Sequence, residues 1–307
     1  MRLLIVGAGG VGGYFGARLA RAGVPVTLLG RGAHLTAIQR EGLRIRSAVD
    51  GEWVVKVDAV ADVSGLAAVD VVLVCVKSFD TEAAAAAIRP VVGPDTAVVS
   101  LQNGLDNEAT LERLLGPGHA VGGVAYVFAA IEAPGVVAHR FAGHVAFGEL
   151  DGRPSPRLER LRETFVAAGL RAELTPDIRR ALWHKYVMIS AQAGMTALTR
   201  APIGVIRAVP ETRRMYRAIV EELVALAAAS GVDLGPHAVD DVMKAADALA
   251  PEAYSSLHHD LVQGRRLELE ALHGHAVRLG ERLGVPTPTV LAVYAALKPH
   301  LDGRPAR

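Results

Sequence analysis

A chain of 307 residues, 51% of them hydrophobic and 21% charged, can bury a sizeable core and divides naturally into two domains. Its 33 basic and 32 acidic residues are interspersed and leave a net charge of +1, which excludes a nucleic-acid groove or a polybasic membrane anchor and points to small molecules or further copies of the chain as partners. The single cysteine, Cys75, has no internal disulfide partner, the first apolar run is too short for a signal sequence, and no apolar stretch reaches the ~20 residues of a membrane span, so a cytoplasmic location is expected.

The first half alternates short β-rich runs with helical patterns: LLIV, VTLLG, VVLVCV and AVVSL against FGARLARAG, HLTAIQREG, EAAAAAIRP and NEATLERLLG. Such alternation predicts parallel strands with helices on both faces. Between the first strand and first helix stands VGAGGVGGYFG, where Gly7, Gly9 and Gly12 have G-x-G-x-x-G spacing. The first glycine allows a tight turn, the second lets backbone approach a pyrophosphate, and the third lets helix pack close on strand. The segment Gly7, Ala8, Gly9, Gly10, Val11 and Gly12 is therefore the expected dinucleotide cradle, with the N–H groups and dipole of the helix start directed at phosphate. A plain tight turn is the alternative, and the strand, turn, helix and second strand around it favour the cradle.

The second strand ends VTLLGRG, with Gly30 and Arg31 and no carboxylate to accept from a ribose 2′-hydroxyl. A guanidinium there suits a 2′-phosphate, so NADPH is the expected cofactor; a solvated surface arginine is the alternative. Two later strands finish at Lys77 and at Asn103 in SLQNG. Ligands of open α/β sheets bind outside the carboxyl ends of strands, so both residues are candidates for the nicotinamide and substrate junction; otherwise Lys77 is an exposed residue approaching a helix and Asn103 a turn former. Cys75, inside VVLVCVK, reads as a buried structural thiol rather than a reactive one.

From Gly118 to Leu150 two β-rich runs around EAPG predict a hairpin that extends the sheet, and a helix over about 156–169 and the run AELT close this half. Beyond Pro176 nearly everything reads as helix, broken at Pro202, Gly231 to Pro236, Pro251 and Pro286 to Pro288. The expected organisation is an α/β domain over 1–176 and an all-α domain over 177–307. The helix from Ala181 to Leu198 is apolar nearly all round, yet carries Lys185 on the row Ile178, Leu182, Lys185, Ile189, Ala193. That lysine either snorkels to solvent or stands in a partly dry cleft, where desolvation eases proton donation. An acidic partner is expected from RRLELEALHGHAVRLGERLG: Glu268 shares a helical row with Leu272, Leu279 and Leu283, whereas Glu270 shares one with Gly274, Arg278 and Glu281, so Glu268 is the inward candidate. A purely structural Lys185–Glu268 salt bridge is the alternative. Ser255 and Ser256 either bind a carboxylate or cap a turn. His258, His259, His273 and His275 show no metal-ligand spacing, and no metal is expected.

Taken together, VGAGGVGGYFGARLARAG, LLGRGAHLTAIQREGL, VCVKSFDTEAA, SLQNGLDNE, LWHKYVMIS, YSSLHHDL and LELEALHGHAVRLGERLGVPTPT resemble the ketopantoate reductase (2-dehydropantoate 2-reductase) family over essentially the whole chain. The resemblance implies a Rossmann-type NADPH domain followed by a helical substrate domain. It makes Lys185 the general acid, Glu268 and Ser256 substrate-binding, with Glu268 also in the catalytic set, and Lys77 and Asn103 part of the nicotinamide and substrate junction. It implies reduction of a 2-oxo acid lying in a cleft between the domains. Three positions depart from the pattern, which often has asparagines there: this chain has Ile189, Ala193 and Ala253, which puts substrate recognition in question. Two other roles remain open from the sequence: an NADPH-sensing protein without turnover, and a helical half that serves mainly as a homodimer interface.

Overall fold

The computed structural model describes residues 1–303. The chain separates into two compact units, one of Met1–Gln102 with Asp106–Ile178, the other of Asn103–Leu105 with the chain from Arg179 onward. In the first, the order is β1 (Leu3–Val6), α1 (Gly10–Arg21), β2 (Val26–Leu29), α2 (Gly32–Glu41), β3 (Leu43–Ser47), β4 (Gly51–Val55), β5 (Asp58–Val60), β6 (Val69–Val74), α3 (Thr81–Ile88), β7 (Val92–Ser100), α4 (Asn107–Leu115), β8 (Ala120–Ala133), β9 (Val136–Glu149), α5 (Pro156–Ala167) and β10 (Arg171–Leu174).

These strands form one sheet in the order β4-β3-β9-β8-β7-β6-β1-β2-β5, with β10 added on β9. From β5 through β2, β1, β6 and β7 to β8 all pairings are parallel. The strand order reverses direction between β1 and β6, the crevice where such sheets bind dinucleotides. The apolar runs are buried on both faces because helices cover both: Leu3 and Ile5 join Phe15 and Leu19 of α1 in one cluster, while Leu4 and Val6 join Ile88 of α3 and Leu111 of α4 in another.

The expected hairpin is β8 and β9, paired antiparallel around a turn at Gly135, where φ is +75°. The structure adds a second hairpin that the helix-strand alternation did not reveal. β3 and β4 pair antiparallel, β3 joins β9 in parallel, and β4 becomes an edge of the sheet. Along that edge Arg44 and Arg46 of β3 pair with Glu52 of β4, and Arg46 also with Glu132 of β8 at 3.2 Å.

The second unit is helical: α6 (Ile178–Thr199), α7 (Ile203–Ala208), α8 (Pro210–Ala229), α9 (Ala238–Ala248), α10 (Ser256–Val262), a π-helical turn at Glu270–Gly274 running into α11 (His275–Leu283), and α12 (Pro288–Leu297). Its core gathers Trp183, Tyr186, Val187 and Met195 of α6 with Leu223 of α8 and Leu272 of the π turn. Among the described residues no helix is long and apolar enough to cross a membrane.

Candidate active site

In the first unit the loop after β1 shows why Gly7, Gly10 and Gly12 are required. A Cβ on Gly7 would fall 2.9 Å from the backbone of Cys75 and Val76, and φ there is +98°. One on Gly12 would lie 2.1 Å from the Gly7 carbonyl oxygen, so only glycine lets α1 sit this close to β1, and one on Gly10 would lie 2.0 Å from the Ala129 carbonyl of β8. At Gly9 nothing stands within 4 Å of a would-be Cβ. Packed glycines thus flank one glycine that is open on its side-chain side, which fits a pyrophosphate settling on bare backbone at the start of α1. Ala8 is buried and Val11 half-buried. Cys75, beside this turn, is half-buried rather than fully buried, and desolvation pushes its thiol up to about 12.

Arg31 is the N-cap residue of α2, and its Nη2 lies 3.3 Å from Oδ2 of Asp80 with its side chain 91% exposed. That guanidinium can swing to a phosphate at little cost, because an ion pair so exposed to water is weak. His34, one turn into α2, lies close to the glycine loop: its Nε2 is 2.8 Å from the Ala8 carbonyl oxygen, and the Gly135 N–H donates to its Nδ1 at 3.0 Å.

The loops after β6 and β7, which carry Lys77 and lead to Asn103, are tied together by buried polar groups. Gln102 donates from Nε2 to Thr81 Oγ1 at 2.8 Å, and the Thr81 hydroxyl lies 2.7 Å from the Ser78 carbonyl and 3.1 Å from Asn107 Oδ1. Lys77 and Asn103 are both half-buried and both engaged in contacts. Asn103 groups with the helical unit and Lys77 with the sheet.

In the helical unit Lys185 is half-buried, on the flank of α6 opposite the wholly buried Tyr186, Val187 and Ser190. Glu268 is only 5% exposed, while Glu270 lies in a surface network with Arg278 (2.7 Å), Tyr294 (2.7 Å) and Lys298. Burial would raise the Glu270 carboxyl, but Lys298, Tyr294 and Arg278 outweigh it and hold the group down to about 2. Two cross-links join α6 to the π turn that follows Glu268. The Tyr186 hydroxyl donates to the Leu272 carbonyl, and His273 Nε2 stands 3.0 Å from the Ser190 carbonyl. Gly194 makes room for that imidazole, since a Cβ would meet His273 Nε2 at 2.6 Å. A π turn carries an extra residue and recurs where a helix must re-aim side chains.

The serine pair divides its work. Ser255 caps α10, accepting from the His258 N–H at 3.1 Å, and bonds Thr196 of α6 at 2.7 Å; Ser256, the first residue of α10, is exposed. Lys185, Glu268 and Ser256 therefore stand on α6, the segment entering the π turn, and α10, with α6 bonded directly to each of the other two. Ile189 and Ala253 are half-buried and Ala193 is buried. Sequence alone singles out neither His34 nor Tyr186, and it raises His273 only as a candidate metal ligand. A glycine inside an apolar helix signals a close approach, so Gly194 could have led to His273; nothing comparable marks His34.

A glycine-turned crevice at the reversal point of a parallel sheet, with a helical unit placing a lysine and a buried glutamate on cross-linked elements, defines a pyridine-nucleotide-dependent reductase. The chain belongs to the ketopantoate reductase family: the model for Ketopantoate reductase PanE/ApbA matches residues 3–152, and that for its C-terminal domain matches residues 177–300. The 2-dehydropantoate 2-reductase of Mesorhizobium japonicum is 33% identical, with 97% of each chain covered. The PanE/ApbA family ketopantoate reductase of Ralstonia eutropha JMP134 superposes with a TM-score of 0.90 at 35% identity over 98% of each chain. The 2-dehydropantoate 2-reductase of Geobacter metallireducens GS-15 gives a TM-score of 0.91 at 34% identity, covering 97% of this chain and 99% of that one.

Proposed function

We propose that this chain reduces 2-dehydropantoate to (R)-pantoate with NADPH, on the strength of a full-length family match that retains both the glycine cradle and the pair Lys185 and Glu268. Bound NADPH supplies the hydride that converts C2 of a 2-oxo acid to the alcohol. The chain's own groups do the rest. Gly7 to Gly12 offer backbone N–H groups to the pyrophosphate, Arg31 grips the adenosine 2′-phosphate, and Lys77 and Asn103 border the nicotinamide. Lys185 donates the proton to the carbonyl oxygen and, as a cation, stabilises the alkoxide that forms there, an effect of roughly 3 kcal/mol in a site shielded from water. Glu268 holds Lys185 and the substrate hydroxyl, and Ser256 receives the carboxylate.

The substitutions at Ile189, Ala193 and Ala253 favour a second reading of breadth rather than of chemistry. A site built of amides rejects an analogue lacking the hydroxyl strongly, because its own polar atoms would go unpaired, whereas an apolar wall discriminates by only about 10- to 200-fold. The experiment is NADPH oxidation over a panel of 2-oxo acids. Ketopantoate should be reduced with a kcat/KM above that of 2-oxoisovalerate by less than roughly 10⁴, and bulkier apolar acids should turn over; a larger ratio would show hydroxyl recognition intact, and no turnover with any 2-oxo acid would leave a nucleotide-binding protein without catalysis.

A further inference from the structure

His34 has no part in the chemistry above, yet its ring is held by backbone groups of the glycine loop and of the β8–β9 turn. The Gly135 amide can only donate, so Nδ1, 3.0 Å away, must present its lone pair. The ring proton is then on Nε2, which donates to the Ala8 carbonyl at 2.8 Å. Burial lowers the imidazole pKa, against the opposing pull of hydrogen bonds with the Ala8 and Ala133 backbone.

The turn that supplies the amide is itself built for this approach. Gly135 has φ +75°, and a Cβ there would strike the Ala37 side chain of α2 at 2.9 Å, so only glycine lets β8–β9 come this close. Its carbonyl is fixed from the other side by the Arg44 N–H at 2.9 Å. In a trans peptide the C=O and the following N–H point opposite ways. Holding the Ala8 carbonyl toward α2 therefore turns the Gly9 N–H away from α2, while the Gly9 carbonyl begins α1 by accepting from Gly13 at 2.7 Å.

We propose that His34 is a positioning residue for the cofactor: as a neutral Nε2–H imidazole braced on Gly135, it sets the Ala8–Gly9 peptide so that the Gly9 N–H faces the pyrophosphate, and it anchors the first turn of α2 that begins at Arg31. The inference rests on the reading of Gly7 to Gly12 as a pyridine-nucleotide cradle.

The test is binding of NADPH to the protein without substrate, followed by fluorescence or calorimetry, together with long-range nitrogen-proton NMR of the His34 ring. His34→Leu removes both bonds and should weaken NADPH binding about tenfold, the factor expected for losing one well-placed orienting bond. His34→Gln, whose amide reaches the Ala8 carbonyl, should recover most of it. Gly135→Ala, which displaces the brace without touching the glycine loop, should resemble His34→Leu. The NMR spectrum should show the Nε2–H tautomer in the unmodified protein. Binding by His34→Leu within twofold of the unmodified protein, or an Nδ1–H tautomer, would overturn the inference while the cradle reading stands. Failure of the unmodified protein to bind NADPH or NADH would instead remove the cradle reading, and this inference with it.

Discussion

At the scale of single residues, Arg31 has a proposed role in cofactor choice that can be tested apart from the fold. It is almost wholly exposed and its one ion pair, to Asp80, is too wet to stabilise much, so its loss should leave folding untouched. A bidentate guanidinium-phosphate pair is worth roughly 2–3 kcal/mol, so Arg31→Ala should erase a 30- to 150-fold preference for NADPH over NADH, read as the ratio of kcat/KM for the two cofactors. Equal efficiencies in the unmodified enzyme would refute the assignment. Lys185 is the opposite case, half-buried on a core helix. Its replacement by alanine should lower kcat by roughly 10²–10⁴ with NADPH affinity nearly unchanged, while Glu268→Ala chiefly raises KM. A Lys185 that served only as a structural salt bridge would instead show a lowered melting temperature with kcat within a few-fold.

At the scale of elements, the π turn before α11 explains both what the sequence revealed and what it concealed. Helical rows separated Glu268 from Glu270 correctly by burial, because Glu268 and Leu272 precede or enter the turn on the core side. The same row holds beyond the turn at Leu279, 6% exposed, and fails only at Leu283, 39% exposed in the last turn of α11. Periodicity cannot anticipate an inserted residue, nor can it see that His273 would be withdrawn wholly into the core. The β3–β4 hairpin was legible by a different rule: LRIRS alternates strictly, with Leu43 and Ile45 buried and both arginines exposed, and Asp50-Gly51 is a turn signal. Burial lowers the His273 pKa from 6.5 to about 4, against the pull of the Ser190 carbonyl. The unfolded chain therefore takes up a proton near pH 6.5 that the folded chain refuses until about pH 4. The His273 share of stability should be flat above the upper value, fall as pH drops between the two by on the order of 3 kcal/mol, and level off below, where protonation of the ion-paired Glu270 continues the decline. Urea titrations of the unmodified protein and His273→Gln across that window check this: the variant should lose most of the slope, and identical slopes would assign the acid sensitivity elsewhere.

The sheet and the helical array form separate compact units, and the family match runs through both. That division was readable because a parallel sheet and a helical array have different hydrophobic periods, whereas the grouping of Asn103–Leu105 with the helical unit depends on tertiary contacts that no local pattern records. The sheet that results is open, and its two ends are finished differently. At one end β5 is only three residues long, and Gln39 of α2 donates to its Ala59 carbonyl at 2.8 Å. At the other, Glu52 of the edge strand β4 pairs with Arg44 and Arg46 of the neighbouring β3. A free strand edge is a template for another chain, and charges along it make such pairing costly. These ion pairs, half in water, then act on colloidal behaviour more than on folding. Replacing Arg46 and Glu52 together with valine should shift the unfolding free energy by no more than about 1 kcal/mol, yet bring on concentration-dependent light scattering in the native protein. A variant that stays monodisperse would show that the hairpin edge needs no guard and that solubility at high concentration rests on some other surface.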